Sequence, residues 1–304
     1  MQVQSLRYVI LSLVLGGVSV WASENLFWMM PPPGLTALDF GLTLVAYAVV
    51  AAVALSAVIW SGLGGMKGAF LGGAIMGYMA EGVIVGTMYQ NVPVQLFWTP
   101  LAWHGLVSGA LVMGVGRAQL PARWMALIWG ALGLVGAYWA QYWTSERVGQ
   151  PEVWQFAVYI LGLGLLVPLA QVVMDRMGRL PQPRGWVLWV APGLAAVVWG
   201  VQTVAEMNPL RLMLPAVLAL ILWVMRRLGR PGEAVDLGTG PVARHGLFLI
   251  APLIIVALAP MGWARGWGTL EANWVVAGVT SLWALGWLGR LIWRSVAQGA
   301  QGRG

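Results

Sequence analysis

FGLTLVAYAVVAAVALSAVIW, from Phe40 to Trp60, contains no charged side chain and ends seven residues before Lys67, the one lysine of the chain. About twenty consecutive apolar residues are what an α-helix needs to cross the hydrocarbon core of a bilayer. The run is continuous, without the alternating polarity over about ten residues that marks a strand of a membrane barrel. With no water in the bilayer core, its backbone groups must bond within the segment, and a helix is the way to do so.

The rest of the chain repeats this pattern. Hydrophobic residues make up 60% of the 304 positions and charged residues 9%, against roughly a quarter charged in soluble domains. Apolar runs near 6–22, 40–60, 68–88, 99–116, 123–142, 154–174, 185–204, 209–225, 246–263 and 272–289 predict an all-α, polytopic bundle of about ten spans.

Charge tests this count independently of hydropathy, because short cytoplasmic loops are enriched in Lys and Arg. With the N-terminus inside, Arg7, Lys67, Arg117, Arg123, Arg176, Arg179, Arg184, Arg226, Arg227, Arg230, Arg244, Arg290, Arg294 and Arg303 all fall on the inner side. Arg147, Arg211 and Arg265 fall on the outer side. A miscounted span would scramble the alternation, so both ends are placed inside. The formal charge of +7 is thereby explained by topology, and no nucleic-acid partner is expected. We expect the cytoplasmic membrane of a bacterium or archaeon.

Many of the twenty tryptophans fall at span ends, where amphipathic rings anchor a helix at the interface. Trp21, Trp28, Trp98, Trp143, Trp154, Trp263 and Trp267 are expected at the outer surface, and Trp60, Trp124, Trp186 and Trp293 at the inner one. The first span, with Val20-Trp21-Ala22 at its end, also resembles a cleavable secretory signal. Its apolar run is long for that, and we expect it to stay as a helix.

The chain reads as a single membrane domain over 1–304. Helices one to eight occupy 1–225, a mobile, Gly-rich cytoplasmic loop 226–245, and helices nine and ten with a short tail 246–304. Five plus five helices would set two halves in opposite orientation, as in inverted-repeat transporters, but no sequence repeat relates them.

Absent cysteine removes disulfides, thiolate catalysis and Cys-ligated zinc or iron–sulfur sites. Two histidines are too few for three-His metal sites. His104 and His245 invite a haem, but they lie on opposite sides of the membrane, about 15 to 20 Å apart along its normal at 1.5 Å rise per residue. No cofactor or metal is expected.

Glu81 is the ionisable residue inside a span. Such a carboxyl is costly unless paired, hydrated or protonated, and intramembrane acids tend to face the bundle interior and mark function. Its helix carries Gly68, Gly72, Gly73, Gly77, Gly82 and Gly86, the small-residue spacing that lets helices approach closely. Gly77, Tyr78, Glu81 and Met88 share one face, with Tyr89 toward its edge. The connection from Gln90 to Pro100 has two prolines and several amides but no charge; it reads as an interfacial loop, with a re-entrant dip as the other reading.

His104, about one and a half turns into the fourth helix, comes to a depth similar to that of Glu81. A Glu–His pair can share or relay a proton. Glu24 and Asn25, at the outer end of the first helix, face the same mouth. The candidate binding residues are therefore Glu81, His104, Tyr78, Tyr89, Asn25 and Glu24, with Glu81 and His104 the catalytic pair if the protein is an enzyme. Glu206, Asn208, Pro209 and Arg211 form an outer loop able to cover that mouth.

Three functions suit this pattern: a carrier of a small solute or ion, an intramembrane enzyme on a lipid or other membrane substrate, and a non-catalytic subunit packing against copies of itself or another membrane protein. In length and helix count the chain resembles the drug/metabolite transporter superfamily. Glutamate-dependent intramembrane proteases are a loose analogue of the second reading, without their paired Glu-Glu motif.

Overall fold

The computed structural model describes residues 2–31, 33–143, 149–267 and 270–301. Among these, ten long helices form one bundle and no strand occurs beyond an isolated bridge between Arg179 and Asp236. We number them α1 (Gln2–Asn25), α2 (Ala37–Ser61), α3 (Gly65–Met79, continued by a π turn over Ala80–Ile84), α4 (Val94–Val115) and α5 (Ala122–Trp143). Then follow α6 (Val153–Met177), α7 (Val187–Glu206), α8 (Pro209–Leu228), α9 (Val242–Arg265) and α10 (Leu270–Gln301). Each expected span coincides with one helix. The protein is a multi-pass integral membrane protein.

Eight of the ten are long and apolar enough to cross a membrane by composition alone. The other two are α3, diluted by glycine, Lys67 and Glu81, and α5, diluted by Trp, Tyr and Gln. Helix α3 has the reason for its composition in its surroundings, since most of its residues are buried.

Local chemistry sets the helix ends. Thr36 and Asp39 form a reciprocal capping box at the start of α2, satisfying two backbone donors that a helix start leaves free. Gly62 ends α2 in the left-handed conformation, at φ 67°, which glycine adopts without a Cβ penalty. Asn208 bonds the Leu210 N–H at 3.0 Å and opens the short turn before α8.

The closest packing joins α3 to α4. A Cβ on Gly73 would stand 2.7 Å from Gly109 Cα, and one on Gly77 2.5 Å from His104 Cβ. Real Cβ atoms do not approach so closely, so glycine at these positions lets α4 lie directly against α3. Helix α1 meets α2 in the same way, with Gly16 over Ala48.

Several expectations change here. Trp21 and Trp98 are buried rather than interfacial. Trp21 packs edge-on to Phe248 with ring centroids 4.8 Å apart, filling the bundle interior. Trp60, Trp124, Trp154, Trp186, Trp267 and Trp293 are exposed as interfacial anchors require. Arg147 and Arg303 lie outside the described residues, as does the side chain of Trp143. Residues Gln90 to Val94 are exposed, so the α3–α4 connection is a surface loop and does not dip into the bundle.

The segment between α8 and α9 is also unlike the free linker that its glycines suggest. Leu180 N–H donates to the Val235 carbonyl and Leu237 N–H to the Gly178 carbonyl, both at 2.9 Å. Arg117 donates to the carbonyls of Leu237 and Gly238, and to Asp175 Oδ1 at 2.7 Å. His245 Nε2 shares Asp175 Oδ2 at 2.7 Å. A carboxylate between Arg and His thus ties the loop to α4, α6 and α9. The charge-assisted bonds involved are about twice as strong as neutral ones.

Candidate functional site

Isolated π turns in helices recur at functional sites, because the extra residue re-aims side chains. Two helices here have such a turn, α1 over Val20–Asn25 and α3 over Ala80–Ile84, while α4 has π geometry along Trp98–Val115. They converge on one polar cluster. Trp103 Nε1 donates to the Ala22 carbonyl at 3.1 Å, holding α4 against the π turn of α1.

At its centre His104 Nε2 lies 3.2 Å from Glu81 Oε1. His104 Nδ1 lies 2.8 Å from Ser23 Oγ, and Ser23 Oγ lies 3.0 Å from Ser108 Oγ. Thr87 donates its hydroxyl to Glu81 Oε2. A hydrogen-bonded chain therefore runs Thr87–Glu81–His104–Ser23–Ser108, through α3, α4 and α1. The His104 side chain is 3% exposed and that of Glu81 13%.

Ser108 also lies 3.4 Å from the Trp103 carbonyl, to which its hydroxyl can donate. The direction of the bonds through Ser108, Ser23 and His104 Nδ1 follows the imidazole tautomer. In either direction a hydrogen bond between Glu81 Oε1 and His104 Nε2 holds one proton. A hydrogen-bonded chain of hydroxyls can reverse its polarity, handing that proton along.

A second acid flanks the first. Tyr47, nearly three turns into α2, donates its phenol to Glu24 Oε1, and its ring centre is 6.2 Å from that of His104. Glu24 is thus turned toward α2, on a helix that runs on to Asn25 and continues as a short turn through Trp28. Asn25 is fully buried, and neither its Oδ1 nor its Nδ2 has a hydrogen-bond partner. A buried amide without partners carries its whole desolvation cost, about 1 to 3 kcal/mol.

Tyr78 and Tyr89 stand apart from this chain. Tyr78 donates to the Leu96 carbonyl at 3.1 Å and Tyr89 to the Gly82 carbonyl at 2.9 Å, tying α3 to its own outer connection. Arg211 lies over the Tyr89 ring, 5.0 Å from its centre, and is held by Glu206 at 3.0 and 2.5 Å and by Gln202 at 3.2 Å. Arg211 is itself buried, so the outer loop does close down beside the end of α3.

From the inner face a cavity of about 470 Å³ rises between α1, α2, α3 and α4. Arg117, Gln119 and the pinned segment from Val235 to Gly238 line its inner mouth. Gly68, Gly72, Gly73, Met66, Met76 and Met113 line its walls, and Ser19 and Ser108 its upper part. Glu81 and His104 are not on its wall. The cavity meets the polar chain at Ser108.

No family model, curated protein or solved structure matches the chain. Its function is therefore argued from this geometry.

Reasoning from sequence missed Ser23, Ser108, Tyr47 and Thr87. Ser108 follows His104 by one helical turn, a spacing that was available as a signal. Tyr47 is a phenol in the middle of an otherwise apolar run, and a hydroxyl there calls for a partner. For Ser23 and Thr87 no pattern stood out.

Proposed function

We propose that the protein is a carrier of a small solute coupled to proton movement, with the Glu81–His104 pair as the proton-holding element. The observation that carries this reading is the junction at Ser108. There a cavity reaching the inner face ends on a hydrogen-bonded chain that leads to an intramembrane carboxylate in the outer half of the bundle. Buried Asn25 and half-buried Glu24 add polar groups beside it for solute recognition. The cavity walls are mostly Gly, Ala, Leu and Met, which favours a largely apolar or amphipathic solute over a highly charged one.

An arrangement hollow toward the inner face and ending within the bundle at Ser108 corresponds to one end of an alternating-access cycle. Purified protein in liposomes tests it, by uptake of a panel of labelled small solutes with and without an imposed pH gradient. Gradient-dependent uptake of one class supports the proposal. Uptake equal to that of empty liposomes for every solute counts against it.

One observation favours a second reading. Ser23, His104 and Glu81 stand in the order of a hydroxyl, imidazole and carboxylate relay, the constellation that activates a serine for acyl transfer. Ser23 is 4% exposed and does not line the cavity, which places this behind the carrier. A membrane-permeant fluorophosphonate that labels wild type but not Ser23→Ala would reverse the order.

A further inference from the structure

Helix α7 stands off the bundle. Ala195 is its one fully buried residue, yet it is not simply a lipid-facing helix. Leu188, Trp189, Pro192, Ala195, Ala196 and Trp199 follow at helical spacing and form one wall of a groove of about 350 Å³. Helices α2, α3 and α8 form the other walls, with Trp60 among the α2 residues and Leu218 and Leu222 on α8.

From Leu188 to Trp199 the groove follows α7 for about 16 Å at 1.5 Å per residue. That is roughly half of a 30 Å hydrocarbon core, the depth of a single leaflet. The groove begins at the inner side, where α7 starts and α8 ends.

Charge at that end is unbalanced. Arg226 lies over the Trp60 ring, 5.1 Å from its centre, and donates to the Trp60 carbonyl at 3.5 Å. Its neighbour Arg227 is exposed, as is Arg184 ahead of α7. Arg226, Arg227 and Arg184 have no carboxylate within ion-pair distance among the described residues. A cation placed over the mouth of a leaflet-deep apolar groove matches a molecule with an acyl chain and an anionic head.

We propose that this groove is a binding site for an anionic phospholipid of the inner leaflet. One acyl chain lies between α7 and α2, α3 and α8, and the phosphate group is held by Arg226 with Arg227 and Arg184 nearby. Basic residues near anionic membrane surfaces each favour binding by about fivefold, so selection by head group, rather than binding as such, is the signature. The site is separate from the Glu81 cluster and does not depend on the carrier reading.

The test uses full-length protein in phosphatidylcholine nanodiscs doped with phosphatidylglycerol or phosphatidylcholine carrying a diazirine in one acyl chain. Crosslinks are mapped by mass spectrometry. Phosphatidylglycerol is expected to label groove residues such as Ala196 and Leu218 several-fold more than phosphatidylcholine does. Arg226→Gln, at an exposed position, should remove that preference, and Ala196→Phe should reduce groove labelling by both lipids while labelling of α10 stays unchanged. Equal groove labelling by the two lipids, or a preference that survives Arg226→Gln together with Arg227→Gln and Arg184→Gln, would overturn the proposal and leave ordinary annular lipid.

Discussion

Glu81 Oε1 and His104 Nε2 stand 3.2 Å apart on adjacent helices that lie against each other through glycine. Glu81 and His104 are each held by a further partner, the carboxylate by Thr87 and the imidazole by Ser23. Their closeness depends on residues with no chemistry of their own, above all Gly77 behind the His104 Cβ.

Gly77→Ala should therefore act on His104 without touching its hydrogen bonds directly. The added methyl would lie 2.5 Å from His104 Cβ, and overpacking of this kind costs about 1 to 3 kcal/mol. A lowered melting temperature in detergent and reduced solute flux are expected together. Gly162→Ala, where a Cβ meets nothing within 4 Å, should leave both close to wild type.

The chain has no cysteine, so a single introduced thiol reports access cleanly. Met113→Cys on the cavity wall is expected to react with a membrane-impermeant maleimide applied from the inner side of oriented vesicles. It should resist the same reagent from outside. Equal labelling from both sides would mean that the cavity is open to both faces.

Tyr47→Phe removes the donor to Glu24. Hydrogen bonds to charged groups contribute about 1.5 to 3 kcal/mol, equivalent to roughly ten- to hundredfold in an equilibrium. Transport is expected to fall by about that range, with expression and folding close to wild type. Solute affinity and maximal flux, measured separately, would show whether Glu24 serves binding or proton movement.

Arg117→Gln should free the segment between α8 and α9, since Arg117 holds Leu237, Gly238 and Asp175 at once. Cleavage by a glutamate-specific protease after the exposed Glu233, read by mass spectrometry, is expected to quicken by about tenfold, as for a loss of roughly 1.4 kcal/mol of local stability. An unchanged rate would mean that the backbone bonds of Val235 and Leu237 suffice to hold the loop.

The helices were legible in the sequence because bilayer thickness leaves few ways to read a continuous apolar run, and Arg placement oriented them. Glu81 and His104 were legible too, as polar groups out of place in apolar spans. What the sequence did not show was depth and partnership. Trp21 looked interfacial because tryptophan often is, but its neighbours Ala22 and Ser23 belong to a helix that continues past the expected end, and its ring packs on Phe248. The Gly-rich segment after Arg226 looked free because glycine removes local preference. Its order comes from Arg117, Asp175 and His245, far away in the chain. Ser23 and Ser108 are common helix residues, and their meaning arises when α1 and α4 meet.

Liposomes loaded with a pH-sensitive dye and challenged with a transported solute test the central claim most directly, by comparing wild type with Glu81→Gln. Wild type should change the internal pH in step with solute entry. In Glu81→Gln, which keeps the shape of the side chain but cannot hold a negative charge, the pH response should vanish even where some solute still crosses. A Glu81→Gln protein that moves solute and protons as wild type does would contradict the assignment of the proton to the Glu81–His104 pair.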